Sequence, residues 1–62
     1  MAQEAMKETV LRSCRWWANE TRDLSDILDR AGMWPEISAG LRHLSRQARD
    51  LMRRVGAMEG ET

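Results

Sequence analysis

Apolar positions along this chain fall into two columns of identical spacing. Val10, Cys14, Trp17, Thr21, Leu24, Leu28 and Ala31 form the first, and Ile37, Leu41, Leu44, Ala48, Leu51, Val55 and Met58 the second. Each column steps by four and three residues in alternation, the heptad spacing of helices packed in a left-handed bundle. Residues 4–31 contain neither Pro nor Gly. Glu4 and Glu8 suit the positive end of a helix dipole, and Asp26 and Arg30 are spaced for an i, i+4 ion pair. Gly32 can adopt the left-handed conformation that ends a helix, and Pro35, followed by Glu36, fits the first position of a new one. The pattern predicts an all-α fold, an antiparallel helical hairpin forming a single domain over residues 1–62. The expected elements are a helix over about 4–31, a turn at 32–35, a helix over about 35–55 and a flexible tail at 57–62. Gly56 is the expected stop, or Gly60 if the second column continues through Met58.

Folding the chain back at Gly32–Met33 pairs Leu28 with Ile37, Leu24 with Leu41, Thr21 with Leu44, Cys14 with Leu51 and Val10 with Val55. Trp17, the largest side chain of its column, then meets Ala48, the smallest of the other, and large-against-small layering is how interdigitated cores reach native density. With Val10 at heptad position d, the e positions are Leu11, Ala18, Ser25, Ser38, Ser45 and Met52, uncharged and mostly small. The g positions include Met6, Ile27 and Gly40. An uncharged flank beside an apolar column widens the face to be buried. One hairpin cannot cover that face alone, whereas two packed together can, as a homodimeric four-helix bundle. The expected oligomer interface is therefore the first column from Val10 to Leu28 and the second from Ile37 to Val55, together with Leu11, Ala18 and Met52. Either flank is a candidate to meet the second hairpin: e because it is uncharged, g because it carries Met6 and Ile27.

In architecture such a pair resembles the small plasmid-encoded Rop-type hairpin dimers, which bind RNA loop pairs. The resemblance is of fold alone and carries no functional residue onto this chain.

Size and composition sharpen this picture. A 62-residue chain has a marginal core and usually needs disulfides, metal or partners for stability. Cys14 is the only cysteine and His43 the only histidine, so neither an intrachain disulfide nor a structural zinc site can form. Self-association is the supplement that remains. No apolar run approaches the ~20 residues of a membrane span. The start Met-Ala-Gln-Glu-Ala-Met has no signal-peptide character, so a cytoplasmic location without membrane attachment is the default expectation.

Candidate chemistry is sparse. Arg42, Arg46, Arg49 and Arg53 form a stripe on b and f positions, where like charges at i, i+4 cost a few tenths of a kcal/mol per pair. An anionic partner such as RNA, DNA or an acidic protein would explain that stripe. A solvated face explains it too, since Asp50 is spaced to pair with Arg46, Arg53 and Arg54. Trp16 adjoins Trp17 but falls at c, off the column. It is either a binding anchor, as exposed Trp often is, or it lies over the g flank against Arg54. Met33 and Trp34 in the turn are expected to staple the start of the second helix. Cys14 and His43 lie towards opposite ends of the hairpin, and Glu20, Asp23, Asp26 and Asp29 lie on different faces. No catalytic set, metal site, cofactor motif or small-molecule substrate site is indicated. The expected function is that of a non-enzymatic interaction protein, a self-associating hairpin that binds and regulates another protein, with Trp16 and the Arg stripe as partner-binding candidates. The alternative is a Rop-like homodimer binding RNA or DNA through the Arg stripe.

Overall fold

A computed structural model describes residues 2–58 of the chain. Helix α1 runs Ala2–Ala31 and helix α2 runs Pro35–Ala57. They pack against each other as a hairpin, a rod of 47 × 15 × 11 Å. Among the described residues there is no strand. Gly56 is helical rather than a stop, since one Gly near a helix end costs only about 1 kcal/mol. The expected stop at Gly60 and most of the tail at 57–62 lie outside the described residues.

The turn is built by the backbone. Gly32 has φ 65° and closes α1: its N–H donates to the Asp29 carbonyl at 3.1 Å, and the Met33 N–H to the Leu28 carbonyl at 3.0 Å. These two bonds are the Schellman closure. Trp34 follows at φ 48°, ψ 62°, also left-handed, as the residue preceding α2. A bulky side chain is rarely held there. Pro35 then occupies the first helical position, where its missing N–H costs nothing, and Glu36 sits at the positive end of the dipole. The expected staple is not built: Trp34 is 61% exposed and Met33 is exposed as well. The residue of α2 that such a staple would use is Ser38, which has no apolar surface to offer.

The seam between the helices consists of small side chains. Ala18, Thr21, Ser25, Ser38, Ser45 and Ala48 are the buried residues, with Ser25 and Ser38 at 0% and 1% exposure. They occupy e and a positions. Leu11, Cys14, Leu28, Leu41, Met52 and Val55 flank them, half-buried. Ser45 Oγ donates across the seam to the Ala18 carbonyl at 2.9 Å, while Thr21 Oγ1 bonds back to the Trp17 carbonyl at 2.8 Å. Ser25 and Ser38 face each other, with Oγ atoms 2.8 Å apart and each Oγ within 3.2 Å of the other residue's carbonyl oxygen. Each hydroxyl has a single hydrogen. Ser38 directs its hydrogen to Asp29 Oδ1 at 2.6 Å, the charge-assisted choice, and accepts from Ser25. Arg42 reaches the same carboxylate. A relay Ser25–Ser38–Asp29–Arg42 thus joins the helices near the turn.

This packing differs from the sequence expectation in rotation and register. Ser25 is opposite Ser38 and Ala18 opposite Ser45, a shift of two residues from the expected pairing and a turn of each helix towards its e column. Trp17, Leu24, Leu44 and Leu51 are not enclosed between the helices. Bulky d residues would hold the backbones apart, whereas Ala and Ser let them approach until hydroxyls reach carbonyls on the facing helix.

Two substitutions test this seam. Ala48→Leu removes no hydrogen bond but inserts volume where the helices are closest, and is expected to lower stability by about 1–3 kcal/mol. Gly32→Ala meets open space and acts through the backbone alone, costing about 1 kcal/mol by forcing a Cβ into the left-handed region. Urea denaturation followed by circular dichroism measures both. An Ala48→Leu protein as stable as the parent would contradict a close-packed small-residue seam.

Candidate functional site

Because the e columns face each other, the d columns of both helices emerge on one side of the hairpin. Trp17 is 46% exposed, Leu24 46%, Ile37 55% and Leu51 48%; Leu44 is also exposed. Met6 and Ile27, at g, extend the same side and are exposed. Within the hairpin the e column is taken up by the chain's own second helix, and the d and g columns lie outside the seam.

The surface on that side is grooved. A groove of about 690 Å³ is lined by Cys14, Trp16, Trp17, Leu44, Ala48 and Leu51, with Arg12, Ser13 and Gln47 at its margin. Trp17 and Ala48, expected to pack as a buried pair, thus border one open groove, Ala48 buried and Trp17 half out of it. A second groove, of about 190 Å³, lies towards the open end among Met6, Val10, Val55 and Met58. Trp16 is exposed, and its ring partner is Trp17, with centroids 6.2 Å apart and planes tilted by 36°. It does not stack on Arg54, whose guanidinium instead meets Asp50 at 3.0 Å. Trp16 and Trp17 together form an aromatic wall on one side of the groove, a geometry that aromatic pairs favour.

The Arg stripe lies mostly elsewhere, although Arg46 borders a further groove, of about 570 Å³, whose Gln47 and Leu51 also line the larger one. Arg42, Arg46, Arg49 and Arg53 are all exposed. The Arg42–Asp29 pair shows that b positions of the two helices adjoin on the side of the rod away from the grooves. That pair is solvent-accessible and contributes less than about 1 kcal/mol. Asp50 takes Arg54 rather than Arg46 or Arg53. Among the described residues, Arg46, Arg49 and Arg53 have no ion-pair partner.

Other chemistry is not assembled. Among the described residues no group of three or more His, Cys, Asp or Glu side chains is placed to hold a metal ion. Cys14 is a half-buried free thiol in the larger groove, and His43 is exposed on α2. No described helix is long and apolar enough to cross a membrane. No known protein family matches the chain, and no curated protein or solved structure matches it either.

The arrangement sorts the leucines by their contribution to the hairpin itself. At concentrations where the chain is monomeric, Leu24→Ala and Leu51→Ala should each cost less than half of what Leu41→Ala costs. The first two residues stand on the uncovered side, whereas Leu41 is half-buried against the seam, and truncating a buried Leu costs about 2–5 kcal/mol. Equal losses in dilute urea titrations would mean that the d columns are already covered within one chain.

Proposed function

We propose that this chain is a small non-enzymatic interaction protein. It self-associates through the d columns into a four-helix bundle and regulates another protein through the surface beside that interface. The observation that carries the reading is the placement of the large apolar side chains. The intrachain seam uses Ala, Ser and Thr, and leaves Trp17, Leu24, Ile27, Ile37, Leu44 and Leu51 exposed on one side. A monomer rarely leaves so continuous an apolar side uncovered unless something docks there. In this reading Trp16, at the rim of the larger groove, is the anchor for the regulated protein, so Trp16→Ala weakens that contact while leaving the bundle intact.

A second reading, of another class, draws on one specific observation: Arg46, Arg49 and Arg53 have no ion-pair partner among the described residues. A nucleic acid would supply the missing anions, and its affinity would fall with salt. Arg46→Glu with Arg49→Glu should then remove RNA or DNA binding, and a flat salt response excludes it.

The first reading is tested by absolute mass in solution, from light scattering across a dilution series. The parent is expected at twice its 7.2 kDa. Leu24→Glu with Leu51→Glu is expected at the monomer mass, with its helical circular dichroism retained, since both residues stand outside the seam. A parent that stays monomeric at every concentration sinks the self-association.

A further inference from the structure

We infer that the occupant of the apolar side is a second copy of this chain laid antiparallel, the turn of each hairpin over the open end of the other. The inference rests on the self-association proposed above and adds its geometry. Three observations carry it: exposed area, symmetry of the apolar columns and distribution of charge.

The chain exposes 5060 Å². A compact monomer of 7.2 kDa is expected to expose about 4,100 Å². The excess of about 900 Å² is close to the ~800 Å² that each partner buries in a standard protein–protein interface. One further copy is therefore enough to cover the surplus.

The apolar columns are symmetric about the level of Trp17. On α1, Val10 and Leu24 lie seven residues to either side of it, about 10 Å each way. On α2, Leu44 and Leu51, and beyond them Ile37 and Met58, are spaced evenly about a point close to the same level. A two-fold axis across the rod at Trp17 therefore brings d column onto d column. Leu24 of one copy falls over Val10 of the other, Leu44 over Leu51, and the Trp17 of each copy lies at the other's larger groove. Near the turn the apolar side is a ridge of Leu24, Ile27 and Ile37; near the open end it is the groove among Met6, Val10, Val55 and Met58. Ridge meets groove only when the copies run antiparallel.

Charge makes the same choice. The turn half, residues 18–45, holds Glu20, Asp23, Asp26, Asp29 and Glu36 against Arg22, Arg30 and Arg42. The open half, residues 2–17 and 46–58, holds seven basic side chains, six of them Arg, against Glu4, Glu8 and Asp50. Each hairpin is thus acidic at the turn and basic at the open end. Glu59 and Glu61 follow in the chain and reduce the basic excess without reversing it. A pair with turns together sets acid on acid and base on base, whereas an antiparallel pair sets acid on base at both ends.

Spin labels placed at Met33→Cys in a Cys14→Ala background test the orientation, because Met33 is exposed at the tip of the turn. In the antiparallel pair the interspin distance should be close to the rod's full 47 Å, whereas turns together would bring it near the 15 Å width. A second test joins Val10→Cys and Leu24→Cys in one Cys14→Ala chain. These two sites are about 21 Å apart along α1, too far for an internal disulfide, so oxidation should yield a covalent dimer. A dimer by mass that shows the short distance, or that fails to cross-link, overturns the antiparallel geometry but not the self-association. A monomer by mass, with no interspin coupling, overturns both.

Discussion

A serine side chain ends one atom beyond its Cβ, so Ser25 and Ser38 can reach each other's backbone only where two helices run close together. That approach, with Oγ atoms 2.8 Å apart and each within 3.2 Å of the facing carbonyl, is the constraint on which the rest of the hairpin depends. It requires small residues at every seam position nearby, and Ala18, Thr21, Ser45 and Ala48 meet that requirement. Each buried hydroxyl is also satisfied: among the described residues no buried side-chain polar atom lacks a partner. The seam therefore avoids the penalty that usually attends polar groups in a core.

The same constraint decides where the large side chains go. A seam lined by Ala, Ser and Thr removes little apolar area from water, since burying a Leu or Ile side chain contributes about 1.5–3 kcal/mol and these residues offer far less. The side chains able to supply that stabilisation are the ones the close approach displaces to the d and g columns. Whatever covers those columns then contributes to folding as well as to binding, because a partner that binds only the folded state stabilises it by mass action. On the proposed reading, the order of the hairpin and the concentration of its partner are linked.

Much of the fold was legible in the sequence. Helix type, the turn at Gly32–Pro35 and the antiparallel hairpin followed from a heptad pattern and from the different uses of Gly and Pro at helix ends. The rotation of each helix was not legible, and the reason is physical. From Val10 to Met58 the helical a, d and e positions are all uncharged, so the apolar stripe is wider than one helix–helix contact, and periodicity cannot say which part of it faces inward. The signal that decides is residue size: Ala18 and Ser25 on α1, and Ser38 and Ser45 on α2, recur at intervals of seven, and small residues permit the closest approach. The match of Trp17 to Ala48 pointed to a different axis because volume complementarity also holds at the edge of a groove, where both residues sit. The left-handed Trp34 carried no signal, since a bulky residue is a poor guess for that conformation.

The proposed pair also weighs upon the nucleic-acid reading. If the d and g columns of two copies are buried against each other, the two Arg stripes point outward on opposite sides of the bundle. They cannot then grip one short duplex together, and symmetry does not add their charges at a single ligand. Within one stripe Arg42 is held by Asp29, leaving Arg46, Arg49 and Arg53 for phosphates. Three phosphate contacts give a salt slope of only about −2.7, against about −10 for a repressor that depends on such contacts. Trp16 is placed differently: it borders the larger groove with an exposed aromatic face, and large aromatic side chains of that kind dominate protein–protein hot spots. On the proposed reading, the distribution of side chains around the bundle thus favours a protein partner over a nucleic acid. The preference comes from where the small-residue seam leaves the large residues, not from net charge, which is zero.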